Sequence, residues 1–294
     1  FPFSNSSTTP TVLDPLVAKA NDVTGSVPKP FIGVRRPIAT AAGIDPAYSE
    51  HGDAAVNAGV EVVEQDGRVY LDFTGRVKRI PISALSPIPV MQQLRDSVIR
   101  RIHEDNGPEV KRIYVDSSGN QSLADVLDIY VGGGCGHVNN SARASENPVR
   151  AHDVRKAKEH IKDRGTEAWI VLAAFCEAGM VKGLPEEALK GLTTRQFATK
   201  PGSDDIVMPL RLEPKEQFIS RFKGSPNETD ACALAALAVK ERLGIMPFGA
   251  LPAPTPNSLF PSSQQSGPSM LTNADVDSDY SGVDYDSDGY ASLD

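Results

Sequence analysis

No stretch of this sequence stays apolar over the ~20 residues that a membrane-spanning helix needs. No charged-then-apolar leader precedes a small-residue cleavage site, so nothing marks the chain for secretion. It begins at Phe1 rather than Met, as a processed chain or a piece of a longer one would. Cysteine is scarce, with only Cys135, Cys176 and Cys232. An odd number without a CxxC pair argues against a disulfide framework and against a structural zinc site, and it fits a reducing compartment. Cys135 and His137 form a C-x-H pair, read as a buried thiol beside an incidental histidine. The phosphate-cradling pattern G-x-x-x-x-G-K-[ST] is also missing. The glycine-rich GGGCG at 132–136 lacks its Lys-Ser/Thr and reads as a strand-entry loop, so ATP-driven work is not expected of this chain.

What remains is a chain of 294 residues with ordinary apolar content, enough for a sizeable core and a prior of about two domains. The net charge of −8 is uneven. Residues 275–294 hold seven Asp and no Lys or Arg, which leaves −1 for everything else. A near-neutral folded part does not exclude a polyanionic partner.

Residues 1–35 are rich in Ser, Thr and Pro and read as a lead-in, with a short helix in LDPLVAKAN. ATAAGID then reads as a strand ending at Asp45. The segment AAVNAGVEVVEQDGRVYLDFTGRV alternates apolar and polar residues around Asp66-Gly67, a strong hairpin signal. Together these predict three antiparallel strands. Val90, Leu94, Val98, Ile99 and Ile102 recur at helical spacing after two prolines. KRIYVD predicts a buried strand, LADVLDIYV a helix and GHVNN a further short strand. VRKAKEHIKDRGTEAWIVLAAFCEAGMV predicts one long helix or a pair broken at Gly165. Residues 199–213 read as a loop and short hairpin, and ETDACALAALAVKERLG as a helix. The order predicts one α/β domain with a mixed sheet over 36–245. Residues 246–294, first Pro/Ser-rich and then acidic, are too polar to form a core and are expected to be disordered.

Three acids occupy matching places. Asp45 ends the first strand, Asp116 ends KRIYVD, and Asp230 lies in the first turn of the last long helix. In open α/β sheets ligands bind at the carboxyl ends of strands. Three converging carboxylates repel one another and suit hard divalent cations. Two such ions about 3.5–4 Å apart can hold the attacking and leaving oxygens of a phosphodiester. Taken singly, each acid has an ordinary explanation. Asp45 and Asp116 could be turn formers. Asp230 could be a favourable charge at a helix N-terminus, where Thr229 or Asn227 would make the better cap. The residues alone leave both readings open.

The strings that carry these acids resemble a family. GIDPAYSEHGDAAV, with Asp45-Pro46-Ala47 and Gly52-Asp53, looks like the opening of the nuclease domain of tailed-phage terminase large subunits, the DNA-packaging motors. IYVDSSGNQSLADVL resembles the family's second acidic strand, with Asp116 as its acid. RGTEAWIVLAAFCEAGMVKGLPEEALKGLTTRQF resembles its intervening helix and Leu-Pro segment. LRLEPKEQFISRFKGSPNETDACALAALA resembles its closing segment through Glu213, Lys215, Ser225, Pro226, Asp230 and Ala231. The likeness spans residues 36–244, and FPFSNSSTTPTVLDPLVAKAN resembles the stretch that follows the motor ATPase domain.

The resemblance implies an RNase H-like fold and a metal-dependent endonuclease that cuts double-stranded viral DNA during packaging. Asp45, Asp116 and Asp230 would be the catalytic carboxylates and the ligands of two Mg²⁺ or Mn²⁺ ions, with Asp53 and Glu228 as outer or additional acids. The implied partners are the motor ATPase domain, the terminase small subunit and the capsid portal, with no membrane, in the cytoplasm of an infected bacterium. Two alternatives stay open: another RNase H-like nuclease of resolvase or integrase type, and a non-catalytic module that docks on the packaging machinery.

DNA needs cations at its phosphates. Arg143, Arg150, Arg155, Lys156, Lys158, Lys162 and Arg164 cluster after the second acid, and contacts of this kind bind without reading sequence. A solvated helix face, supported by Asp153, Glu159 and Asp163, explains them equally well. Arg76, Lys78 and Arg79 form a second cluster. In the tail, DYDSDG from Asp284 begins like a calcium loop but stops before its bidentate acid.

Overall fold

The computed structural model describes residues 11–25, 34–46, 55–83, 85–104, 112–118, 122–131, 134–200 and 205–247. Asp53 and, from residue 248 on, the Pro/Ser-rich and acidic tail lie outside the described residues.

A short helix, α1 (Pro15–Ala20), precedes the sheet and is capped by Asp14, which accepts from Leu16 N–H. Strands β1 (Arg36–Asp45), β2 (Val56–Gln65) and β3 (Arg68–Asp72) follow as an antiparallel meander. Asp66 and Gly67 both have positive φ, +53° and +70°, as a two-residue hairpin turn matched to strand twist requires. Strand β4 (Val77–Arg79) pairs with the start of β2, beyond the end of β3. Helix α2 (Val90–Glu104) leads to β5 (Ile113–Asp116), which runs parallel to β1, and α3 (Ser122–Val131) leads to β6 (Gly136–Val138), parallel to β5. After α4 (Ala157–His160) and α5 (Arg164–Glu177), the two-residue β7 (Val181–Lys182) adds to β3 in parallel. Helices α6 (Glu186–Thr194), α7 (Lys215–Phe222) and α8 (Asn227–Leu243) complete the described chain.

The strand order is β6-β5-β1-β2-β3-β7, with β4 beside β2. An antiparallel meander extended from its first strand by two parallel strands, with helices on both faces, is the RNase H-like arrangement. Among the described residues no helix is long and apolar enough to cross a membrane.

Alternation along the strands divides the core. Ala42, Ile44, Ile113 and Val115 turn to one face, where Leu94 and Val98 of α2 and Leu123 and Leu127 of α3 cover them. Helix α8 lies on the other face against β1, β2 and β5, with α5 packed on α8. From Ala231 to Lys240, α8 is buried without interruption, as suits a helix sandwiched between layers. Its alanines favour helix and let it come close to the strands. The closest approach is at Gly43, where an added Cβ would stand 2.1 Å from Ala231 O and 2.4 Å from Ala235 N.

The break after Lys156 is not at Gly165. Helix α4 ends at His160, Ile161 is extended and bridges Leu210, and Asp163 caps α5 by accepting from Thr166 N–H at 2.8 Å. Gly165 lies inside the first turn of α5, where an added Cβ would be 3.1 Å from Asn140 Cβ. The capping carboxylate sets this boundary, and the glycine serves close packing.

Candidate active site

Register puts the first two acids together. Ile44 of β1 pairs with Val115 of β5, so Asp45 and Asp116 follow side by side at the carboxyl ends of neighbouring parallel strands. Ile44 and Val115 face the α2 and α3 core. Alternation therefore turns Asp45 and Asp116 to the opposite face, the one that α8 covers. The tight contact of Gly43 with Ala231 brings the first turn of α8, and with it Asp230, to the same end of that face.

The surroundings of each carboxylate differ. Asp116 Oδ1 accepts from Ser118 N–H at 2.8 Å and from Ser118 Oγ at 2.5 Å, and Oδ2 accepts from Asn140 Nδ2 at 2.8 Å. Asn140 is itself held by Ser118 Oγ and by Gly165 N–H. Asp230 Oδ1 accepts from the Trp169 indole N–H at 2.7 Å. Burial pushes the Asp230 carboxyl above the usual carboxylate range; Arg195, Lys215 and the Trp169 bond oppose that rise, and the charge of Asp116 adds to it. That last effect is the electrostatic mark of two carboxylates sharing one region.

Among the described residues, no three His, Cys, Asp or Glu side chains stand close enough to cage an ion as they are placed. Asp116 is turned toward Ser118 and Asn140, and Asp230 toward Trp169. The donor set nevertheless fits a hard divalent cation. It is all carboxylate oxygen, carried on rigid strand ends and a helix, and Asp230 has a raised pKa that a cation beside it would relieve.

Sequence reasoning missed the groups that hold the acids. Arg195 is 7% exposed, with its guanidinium 5.1 Å from the Trp169 ring centre and 5.0 Å from that of Phe218. One amino group of Arg195 donates to Glu213 O at 2.9 Å. Trp169, the single tryptophan, sits in a helix so apolar that it reads as core, and no local pattern marks Arg195 or Asn140.

The other named residues have plainer surroundings. Glu213 is buried and accepts from Gln196 N–H and from Arg221. Glu228 pairs with Arg79 at 2.7 Å. Neither Asn227 nor Thr229 caps α8; Pro226 stands at the cap, and Thr229 Oγ donates to Ala188 O of α6. Cys135 is a buried thiol, pushed up to about 12 by burial and then by Asp128, and His137 lies 3.3 Å from Asp128. Of the basic cluster, Arg150 pairs with Glu177, Arg155 with Asp153, and both Lys156 and Lys158 with Glu146. Arg164 is an internal group, bonded to Glu167 and Glu241. Arg143 and Lys162 form no ion pair among the described residues, and Arg143 lies three residues from Asn140.

No protein-family model and no curated protein matches this sequence. Among solved structures, the chain is similar to the nuclease domain of the large terminase subunit gp2 of bacterial virus Sf6, at 13% identity over 77% of this chain and 98% of that one, with a TM-score of 0.48. A variant of that domain with calcium aligns at 13% identity over 77% and 99%, with a TM-score of 0.49. The large terminase nuclease from thermophilic phage G20c aligns at 12% over 76% and 97%, with a TM-score of 0.39. At these identities the likeness is one of chain path, and no residue role is carried over from it.

Proposed function

We propose that this chain is a metal-dependent endonuclease that cuts double-stranded DNA during viral genome packaging, as the nuclease part of a terminase large subunit. The observation that carries the reading is the side-by-side register of Asp45 and Asp116 on the face of the sheet to which Gly43 admits the Asp230 end of α8. The motif strings around these acids add the packaging role.

Asp45, Asp116 and Asp230 would hold Mg²⁺ or Mn²⁺. Such ions, when bound, supply positive charge to the attacking and leaving oxygens of a phosphodiester. The chain's own groups prepare for this. Ser118 and Asn140 fix the Asp116 carboxylate, and the Trp169 indole anchors one oxygen of Asp230, the other accepting no hydrogen bond among the described residues. Arg195 and Lys215 offset part of the negative charge before any cation arrives. Arg143 and Lys162 are the candidates of the basic cluster for backbone phosphates, while Arg150, Arg155, Lys156 and Lys158 would have to exchange a carboxylate partner to take part. Contacts of that type give binding without sequence preference that weakens steeply as salt rises.

Plasmid nicking with Mn²⁺ tests the reading. Wild type is expected to nick and linearise supercoiled DNA, to stop in excess chelator, and to lose cutting to background in Asp116→Ala. No metal-dependent cutting by a folded wild type would leave the non-catalytic docking module as the better account. DNA binding that stays flat between low and moderate salt would remove the electrostatic part alone.

A further inference from the structure

On the face of the sheet away from the three aspartates, a recess of about 70 Å³ opens between β1, β2, β4 and α2. Its floor includes Gly59 in the interior of β2, where the missing side chain leaves space. An added Cβ there would only touch Arg76, at 3.5 Å, so the glycine keeps the recess open and does not relieve a clash. Glycine inside a strand often marks the close approach of a ligand.

The described lining has one sign of charge. Among the described residues Arg76, Lys78 and Arg101 border the recess, and no carboxylate does. Arg76 is shared with Glu61 at 3.3 Å. Lys78 and Arg101 form no ion pair among the described residues. Beside them lies Asn57, opposite Lys78 across the β2–β4 ladder. Asn57 is 7% exposed, and its Oδ1 is buried without a hydrogen-bond partner among the described residues. A buried acceptor left unpaired is costly, and natural chains rarely keep one without a use.

These features ask for one kind of occupant. It must carry oxygen acceptors for three cations and also a donor for the Asn57 carbonyl. A backbone phosphodiester has acceptors only. A phosphate monoester near neutral pH still carries a proton for part of the time, its second ionisation lying near pH 6, and inorganic phosphate, with one more proton to lose, keeps one throughout that range. It has five heavy atoms. A space of this size holds roughly five waters at about 10–15 Å³ each, so a phosphate group fits it.

We propose that this recess is a second site, separate from the aspartates, that binds a terminal phosphate through Arg76, Lys78, Arg101 and Asn57. The source of the phosphate is either the free ion or the phosphorylated end of a nucleic-acid strand. The chemistry is shared, and neither requires a metal or the nuclease reading.

Calorimetric titration of the full chain with inorganic phosphate, in chelator, tests this. Saturable binding in the millimolar range or tighter is expected. Arg101→Gln and Lys78→Gln, both at solvent-accessible positions, should each weaken it by roughly tenfold, the scale of one charge-assisted hydrogen bond. Gly59→Val should abolish it by filling the recess, and Asp116→Asn should leave it unchanged. Competition by a 5′-phosphorylated oligonucleotide but not by its 5′-hydroxyl twin assigns the source to strand ends; competition by neither assigns it to the free ion. Equal competition by both oligonucleotides, no saturable binding to wild type, or unaltered binding in Arg101→Gln and Lys78→Gln would each overturn the proposal.

Discussion

Helices α5 and α8 touch two clusters of charge, and the two are built on opposite terms. Toward the C-terminal end of α8, Lys240 and Glu167 meet at 3.0 Å with almost no exposure, and Arg164 bridges Glu167 to Glu241. Glu167 also accepts from Ser145 N–H and Oγ. Every charge there has its opposite supplied by the chain. Burial alone would raise the Glu167 carboxyl, but Arg164, Lys240 and Ser145 together hold it below its ordinary value. At the N-terminal end of the same helix, Asp230 faces the Asp116 region with the Trp169 indole N–H as its one hydrogen bond among the described residues, and burial wins. Arg195 and Lys215 act on Asp230 from nearby and do not bring its pKa back down. A charge cluster that a fold uses for itself is closed from within. One that leaves a buried acid such as Asp230 under-compensated is the kind a cation from outside would complete.

The largest effect should come from breaking the closed cluster. Glu167→Ala would leave Lys240 buried and Arg164 short of one partner, at a cost of about 3–5 kcal/mol. Denaturant titration at neutral pH measures it directly. The pH dependence carries the same sign. The folded pKa of Glu167 is depressed, so its contribution is present above its ordinary value of 4.5 and is lost as pH falls through the folded value. Wild type should therefore lose stability in acid, and Glu167→Gln should lose less of what it has left. Equal acid sensitivity in the two proteins would mean that Glu167 is not compensated as its neighbours suggest.

The open cluster depends on how close α8 comes to β1, and Gly43→Ala attacks that spacing. A methyl at 2.1 Å from one α8 backbone atom and 2.4 Å from another cannot be accommodated by moving a side chain. The helix start must shift, at an overpacking cost of about 1–3 kcal/mol, and Asp230 shifts with it. Metal-dependent cutting should fall further than stability does. A folded Gly43→Ala protein that cuts like wild type would show that Asp230 need not sit where β1 and α8 meet.

How much of this could be read from the sequence varies with the range of the interaction involved. The Asp66-Gly67 turn, the strands on either side of it and α2 are local patterns, and they stand where the periodicity puts them. Asp45 and Asp116 were recognisable because an acid closing an apolar strand breaks the pattern, and parity along the strands then fixes their shared face. Strand β7 has two residues and owes its existence to pairing with β3, so no periodicity could reveal it. The basic residues after Ser141 read equally well as a surface for phosphate or as a solvated helix face; in the fold Arg164 is bonded to Glu167 and Glu241, and four others meet carboxylates up to 27 residues away. Trp169 and Arg195 answer to Asp230, 61 residues from the first of them, and nothing local to either announces that role.

The smallest effect, and the one that most sharpens the contrast, belongs to Asp230→Asn. With Trp169, Arg195 and Lys215 all counted, the Asp230 carboxylate is still disfavoured by its surroundings. Removing the charge while keeping an oxygen for the indole N–H should stabilise the metal-free protein at neutral pH. The size is a few degrees in Tm, since a chain of this length shifts by roughly 2–4 °C per kcal/mol. Adding Mn²⁺ should reverse the ranking: wild type gains stability from an ion that binds only the folded state, and the variant gains less. The same pair of melts on Glu167→Gln should show a large loss and no change in the response to Mn²⁺. If Asp230→Asn instead melts lower without metal, then Arg195 and Lys215 already neutralise that acid, and the two ends of α8 are built alike.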